Sequence, residues 1–291
     1  MAGRHVTGLG LILAAILIGS AAGGTAPGSP HLWWANDGSG STNIGRSALD
    51  GTGANQAFIS KGGFRPCGVA VHGGYVYWAE EDGSAIGRAR IDGTSANANF
   101  ITGLGGSPCG IAVGAKHIYW GDGYNGSAVG RADLDGTHVN KAFIPSPGAD
   151  AVAFDATHIY WGSLNISGAS NMIERANLDG THVVKNFIKG AANPSGIAIV
   201  GARIYWTNYG EYQSGKISTI GRANLDGTGA NSRFIVGAKA PCGLATDGTY
   251  LYWANSDSDN GTTIGRAKLD GTGANEAFIK GASGPCGVAV G

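Results

Sequence analysis

The stretch IGRANLDGTGANSRFI, residues 220–235, decides the fold, because the chain contains it six times with small changes. The other five copies begin at residues 44, 86, 129, 173 and 264. In every copy an arginine precedes a phenylalanine by twelve residues, as Arg222 precedes Phe234. A sequence motif that recurs without insertions indicates one structural unit that is repeated along the chain.

A second motif lies between these copies, an aromatic pair followed by a small and a polar residue. It reads LWWAN at 32, VYWAE at 76, IYWGD at 118, IYWGS at 159, IYWTN at 204 and LYWAN at 251. The tryptophans recur at spacings of 44, 42, 41, 45 and 47 residues. This period is typical of propeller blades and is too long for leucine-rich or ankyrin repeats.

Local chemistry favours strands over paired helices. Each unit alternates apolar and polar residues and is rich in Tyr, Trp, Ile, Val and Phe, with Asp-Gly breaks. In the second unit we predict strands at 66–71, 75–80, 85–91 and 97–102. The small residue after each isoleucine, usually Gly, is expected to permit close approach between neighbouring sheets. We therefore predict an all-β fold, a six-bladed β-propeller of four-stranded blades.

The two ends of the repeat region complement each other. The final segment PCGVAVG, 285–291, is an inner strand with no tryptophan motif after it, and LWWAN has no inner strand before it. We predict that the C-terminal strand becomes the inner strand of the N-terminal blade, which closes the ring and removes exposed sheet edges.

Composition limits the partners. The 291 residues carry a formal net charge of zero, 43% hydrophobic and 14% charged residues, and 53 glycines without a collagen period. Such a chain can bury a large core but offers no basic stripe to nucleic acid or to an anionic membrane.

The N-terminus has the pattern of a secretory signal. Arg4 and His5 precede an apolar run at 8–19, and small residues follow at 20–22. We expect a signal peptide at 1–26, a propeller at 27–291, no membrane insertion after signal removal, and a secreted or extracellular monomer, with the cell envelope as an alternative location.

The motifs resemble a known family at this point. An aromatic pair with a small and a polar residue, then I-x-R, L-D-G and P-x-G, is similar to the YWTD repeat, the class B repeat of the low-density lipoprotein receptor family, over residues 31–291. The resemblance implies a six-bladed propeller whose arginines and YWTD-type polar positions connect one blade to the next. It also implies a protein-interaction platform, here as an exported stand-alone member. The final YWTD position is Asn36, Glu80, Asp122, Ser163, Asn208 or Asn255.

Most recurring polar residues are interpreted as structural. An arginine at a fixed distance from a phenylalanine in each unit is better explained by repeated interface contacts than by an anion site. The recurring aspartates, such as Asp226, are expected to bond the local backbone of a turn.

Four cysteines follow a proline at the start of an inner strand, and they fall on four consecutive blades: Cys67, Cys109, Cys242 and Cys286. The other two slots hold Asp150 and Ser195. We favour small buried residues, with disulfides and a metal site as alternatives. Zinc requires four ligands to converge at about 2.3 Å, and a disulfide requires Cα atoms about 4.4–6.8 Å apart, closer than we expect neighbouring blades to bring them. We expect no cofactor and no resident metal.

Function is expected where the copies differ, in the loops between the second and third strands of each blade. These loops share the channel mouth with the proline and cysteine slots, and with Asp150 they form what we call the rim. The predicted ligand-binding residues of the rim are Glu80, Glu81, Asp122, Tyr124, Asp150, Tyr209, Glu211, Tyr212, Asp257 and Asp259.

Two functions fit this rim. The first is a non-enzymatic binding module that holds an extracellular protein or glycan. The alternative is a propeller lyase or hydrolase that uses Asp150, Asp122 or Glu80 at the channel mouth. Paired histidines such as His117 and His158 are expected on the opposite face, which favours the first function. A third hypothesis is a structural role in the cell envelope, but no attachment motif is visible in the sequence to support it.

Overall fold

The computed structural model describes residues 29–38, 41–123, 126–164, 172–210, 218–256 and 261–291. These residues form 24 strands in six four-stranded antiparallel sheets, so the all-β, six-bladed prediction is confirmed. None of them forms a helix that is long and apolar enough to span a membrane. The predicted signal peptide lies outside the described residues.

Each blade has an inner strand and three further strands that follow it outward. The inner strands are β4 (Pro66–His72), β8 (Ile111–Val113), β12 (Ala149–Phe154), β16 (Ile197–Val200), β20 (Pro241–Thr246) and β24 (Pro285–Val290). The second strands, which carry the tryptophan motif, are β1 (His31–Asn36), β5 (Tyr75–Glu80), β9 (His117–Gly121), β13 (His158–Ser163), β17 (Arg203–Asn208) and β21 (Tyr250–Asn255).

The two outer strands of each blade are formed by the sixteen-residue motif that is repeated six times. The third strands are β2 (Asn43–Ala48), β6 (Ala85–Arg90), β10 (Ala128–Asp133), β14 (Met172–Asn177), β18 (Thr219–Asn224) and β22 (Thr263–Lys268). The outermost strands are β3 (Asn55–Ile59), β7 (Asn97–Ile101), β11 (Asn140–Pro145), β15 (Val184–Lys189), β19 (Asn231–Val236) and β23 (Asn275–Lys280). In the second unit the predicted strands differ from β4 to β7 by at most one residue at an end.

The ring closes as predicted. The C-terminal strand β24 pairs antiparallel with β1, with Trp34 opposite Val288, and completes the sheet β24-β1-β2-β3. We call this sheet blade 1, and blades 2 to 6 follow in chain order. Each inner strand contacts the inner strand of the next blade around the whole ring. The propeller therefore surrounds one central channel.

Residues of the repeated motif form the contacts between neighbouring blades, which we call the seam. The Arg222 guanidinium carbon lies 4.0 Å from the centre of the Phe234 ring. The same ring contacts the Asp-Gly turn of the next blade, where Gly271 has a φ of +87° and an added Cβ would lie 3.0 Å from Phe234. Arg46 reaches across a seam directly, because its Nη1 donates to the Ile91 carbonyl at 3.1 Å. These contacts confirm the structural interpretation of the recurring arginines.

The recurring aspartates hold turns, as expected. The Asp226 carboxylate accepts hydrogen bonds from the Thr228 backbone N–H at 2.9 Å and from the Thr228 hydroxyl at 2.7 Å. These bonds lower the pKa of Asp226, because they favour its charged form. The corresponding pair recurs in all six blades.

The glycine after each isoleucine has a different role from the one we expected. A Cβ on Gly221 would lie 2.1 Å from the Trp206 indole of the same blade, so this glycine makes room for its own tryptophan. The approach between neighbouring sheets does not explain it. Blade 4 has Glu174 at this position, and there the Trp161 indole N–H donates to the Ser146 hydroxyl at 2.9 Å.

Candidate functional site

A cavity of about 300 Å³ lies at one end of the channel, and we call the residues that line it the mouth. Two equivalent sequence positions in every blade contribute a residue to the lining of this cavity. The residue after the proline, or its equivalent, forms a lower ring of Cys67, Cys109, Asp150, Ser195, Cys242 and Cys286. The residue after the YWTD-type motif forms an upper ring of Asp37, Glu81, Gly123, Leu164, Tyr209 and Ser256.

A β-bulge directs the lower ring into the channel. In blade 2, Pro66 lies opposite Glu80 and Val69 lies opposite Trp78, so β4 has one more residue than β5 between the two pairs. The extra residue falls at Cys67 and Gly68. The same shift occurs in blades 1, 4 and 6, at the positions of Cys286, Asp150 and Cys242. Bulges re-aim side chains in this way, and they are frequent next to functional sites.

The cysteines form two disulfides between neighbouring blades, Cys67–Cys109 and Cys242–Cys286, each with Cα atoms 4.9 Å apart. Our expectations of inert thiols and of a wider Cα separation are therefore wrong. The glycine after each cysteine explains the difference. A Cβ on Gly68 would lie 1.9 Å from the Cys109 carbonyl oxygen, so only glycine allows the inner strands to approach this closely.

Charged groups concentrate on blades 1 and 2. The Arg65 guanidinium contacts Asp37 at 3.0 Å, Glu81 at 3.2 Å and Asp82 at 3.7 Å. Burial alone would lower the pKa of Arg65, but the carboxylates outweigh it and raise the pKa. Arg65 thus remains charged and holds Asp37 and Glu81 at the mouth.

Asp150 is the buried acid of the lower ring. Its residue is 5% exposed. Burial, with a smaller contribution from the negative charge of Glu81, raises the pKa of Asp150 to about 7. A carboxyl group in this state exchanges its proton near neutral pH and can donate a hydrogen bond when protonated.

Two predicted rim residues, Glu80 and Asp122, do not line the mouth. Glu80 is 2% exposed, and it accepts hydrogen bonds from the Phe64 backbone N–H at 3.3 Å and from the Trp78 indole at 3.2 Å. Asp122 lies beside the chain at Gly106 and Gly126, and its buried Oδ1 has no hydrogen-bond partner within the described structure. Burial raises the pKa of both carboxyls.

The alternation of side chains along a strand accounts for this placement. Successive residues point to opposite sides of a strand, so Glu80 faces into the blade and Glu81 faces the channel. In blades 1, 5 and 6 the Glu80 position holds an asparagine with the same structural role. Asn255, for example, accepts from the Lys239 N–H at 3.1 Å and donates to the Glu276 carbonyl at 2.8 Å.

Three predicted residues line the mouth together: Glu81, Asp150 and Tyr209. Tyr209 packs against the cysteine cluster and adds an apolar wall on blade 5. Five other predicted rim residues lie outside the described residues: Tyr124, Glu211, Tyr212, Asp257 and Asp259. Among the described lining residues there is no histidine. Of the three acids named for the enzymatic alternative, only Asp150 lines the cavity.

The sequence analysis did not identify Asp37 and Arg65 as residues of the site, although a comparison of equivalent positions in the six repeats would have indicated them. Asp37 follows the WWAN motif as Glu81 follows YWAE. Arg65 precedes the proline of its inner strand, where the other blades with that proline have Ser107, Asn193, Ala240 or Gly284. It is the one charged residue at this slot.

Comparisons with known proteins support the fold. No protein-family model matches the chain, and no curated protein matches it significantly. A chain in the crystal structure of a nidogen/laminin complex has a similar structure, with a TM-score of 0.65 and 18% sequence identity, covering 90% of this chain and 98% of that chain. The likeness agrees with the propeller that the YWTD resemblance implies.

Proposed function

We propose that the protein is an exported, monomeric, non-enzymatic binding module that holds a protein partner at its mouth. The observation that supports this best is the uneven polarity of the upper ring. Asp37 and Glu81 lie on blades 1 and 2, whereas Leu164 and Tyr209 lie on blades 4 and 5. Arg65 pairs with three carboxylates there, Asp37, Glu81 and Asp82, so that side keeps a negative formal charge. A partner that combines a cationic group with an apolar group would complement both sides.

The cavity volume suits one or two side chains of a partner. About 300 Å³ is at the lower end of the range for ligand pockets. A lysine or arginine could place its charge among the carboxylates and its aliphatic stem along Tyr209. The segments 211–217 and 257–260, which lie outside the described residues, contain Glu211, Asp257 and Asp259 but also Lys216.

Two further points favour a protein over a glycan and an exported over an internal location. The structurally similar chain comes from a complex of two proteins, nidogen and laminin. The apolar run at 8–19, with basic residues before it, is typical of a secretory signal. The wider YWTD resemblance points in the same direction.

A random-peptide display library, selected on the immobilised full-length protein without its signal segment, tests the proposal. We expect the enriched peptides to carry Lys or Arg beside an apolar residue. Glu81→Gln should weaken binding of the best synthetic peptide by about tenfold. The matched control is Asp133→Asn, which removes one carboxylate at the opposite end of the propeller and should leave affinity unchanged.

The outcome that contradicts the proposal is equally clear. Enrichment of acidic peptides, or affinities that Glu81→Gln and Asp133→Asn change equally, would remove the mouth from consideration as a cation-binding site. Glycan-array binding without any peptide binding would replace the protein partner by a carbohydrate.

A further inference from the structure

The four sulfur atoms at the floor of the cavity form one continuous cluster. The two disulfides, Cys242–Cys286 and Cys67–Cys109, lie on consecutive blades in ring order. The gap between them is a contact, because the Sγ atoms of Cys67 and Cys286 are 3.3 Å apart. The sulfurs of Cys67, Cys109 and Cys286 all lie within 4.8 Å of one another.

This spacing fits ligands of a single metal ion. A Zn–S bond is about 2.3 Å long, so two thiolates on one ion lie at most about 4.6 Å apart. Once reduction has separated the bonded sulfurs of Cys67 and Cys109, small side-chain rotations can place all three sulfurs within that range. The structure thus removes the objection, raised from the sequence, that the cysteines are spread too far around the channel.

We propose that the reduced form of this cluster binds one thiophilic d¹⁰ metal ion, Cu⁺ or Zn²⁺, through Cys67, Cys109 and Cys286. Thiolates select such ions, whereas disulfide sulfurs are poor ligands. Each disulfide takes two electrons and two protons from an external dithiol, which is itself oxidised to a disulfide. The ion then displaces the protons of the coordinating thiols into solvent.

The position of the cluster makes the site accessible. All four cysteines line the cavity, so both the dithiol and the ion reach them from the mouth. Cys242 lies at one end of the row and does not belong to the group of three. Cu⁺ is satisfied by three thiolates, whereas Zn²⁺ requires a fourth ligand. Carboxylate oxygens of Asp37 and Glu81 form a second group with Cys67, also within 4.8 Å, and can supply it.

Metal titration of the purified protein in its oxidised and reduced forms tests the proposal without any variant. The reduced protein, freed of reductant under anaerobic conditions, should bind one Cu⁺ in competition with a colorimetric chelator. With Co²⁺ as a probe for Zn²⁺ it should show sulfur-to-cobalt charge transfer. The oxidised protein should show neither. Absence of stoichiometric binding by a reduced protein that retains its circular dichroism spectrum would overturn the proposal.

Cysteine variants then locate the ligands. Cys67→Ser and Cys109→Ser should each weaken binding of both ions by about 100-fold or more, at least as much as outer-shell changes cost. Cys242→Ser is the matched control, because it removes a cysteine of the same row and should preserve one ion per chain. Equal losses in all three variants would refute the assignment of ligands. Glu81→Gln separates the two ions, since it should weaken Zn²⁺ and leave Cu⁺ unchanged. The site does not depend on which partner the mouth binds.

Discussion

The change Gly221→Ala tests how the blade core is packed. An added Cβ would lie 2.1 Å from Cε2, 2.4 Å from Cζ2 and 2.5 Å from Nε1 of Trp206. Non-bonded carbons rest at about 3.5–4.0 Å, so the indole would have to move by roughly 1.4 Å or more. Trp206 is fully buried and its N–H donates to Asn208 at 3.0 Å, so it has little freedom to move.

The magnitude follows from three contributions. Overpacking of a well-packed core costs about 1–3 kcal/mol, and loss of the indole hydrogen bond adds about 1 kcal/mol. Reduced freedom of the unfolded chain offsets about 0.4–1 kcal/mol. We therefore expect Gly221→Ala to lower the free energy of unfolding by about 1–3.6 kcal/mol. The melting temperature should fall by about 2–14 °C, as measured by differential scanning calorimetry.

Two comparisons separate the steric clash from a backbone effect. Gly73→Ala adds a Cβ where no atom lies within 4 Å, at a φ of +59°, so only the left-handed backbone should cost about 1 kcal/mol. Combining Gly221→Ala with Trp206→Phe should cost less than the sum of the two single changes, because a smaller ring relieves the clash. If Gly221→Ala costs no more than Gly73→Ala, the tryptophan is not the reason for the glycine.

Three further predictions concern the mouth, the seam and the core. Folding raises the pKa of Asp150 from 3.8 to about 7. Between these two pH values the folded protein therefore holds a proton that the unfolded chain has released. The free energy of unfolding should consequently fall as pH rises from about 4 to about 7. Urea titrations of Asp150→Asn should show a flatter pH profile and a higher midpoint at pH 8, and an unchanged profile would contradict the assignment. Phe234→Ala should cost about 2–3 kcal/mol by urea titration, below the range for a fully buried ring, because Phe234 is half-buried between Arg222 and the next blade. Trp120→Ala should cost about 3–5 kcal/mol in the same assay, since the side chain is fully buried, and a loss under about 1 kcal/mol would show that the core tolerates the cavity.

The sixfold repetition explains why the fold could be predicted from the amino-acid sequence. A pattern that recurs six times averages out local ambiguity, so the strand bounds in the second unit were predicted to within one residue. The closure of the ring by β24 followed from the missing inner strand before LWWAN. Sequence patterns at period two and the Asp-Gly turns carried this information.

The site was less accessible because it depends on register and on distances across the channel. Glu80 and Glu81 are adjacent in sequence, yet one is buried in the blade and the other lines the mouth. The Cα separation of 4.9 Å between cysteines depends on how closely two inner strands approach, which the positions of the cysteines alone do not reveal. The glycine after each cysteine was the available signal, and we interpreted only the cysteine.

The structure shows which slots of a repeat are free to carry function. The arginine, phenylalanine and tryptophan of each blade, and the glycine that packs on the tryptophan in every blade except blade 4, contact one another or the next blade, so a change there alters stability first. The residue after the tryptophan motif contacts the channel instead, and it differs in all six blades: Asp37, Glu81, Gly123, Leu164, Tyr209 and Ser256. These six unlike residues lie on similar supports, and a change at any of them leaves the repeated seam contacts in place, except that Asp37 also pairs with Arg65 of the next blade. For a propeller of this kind, the upper ring is therefore the part of the sequence from which a partner should be inferred.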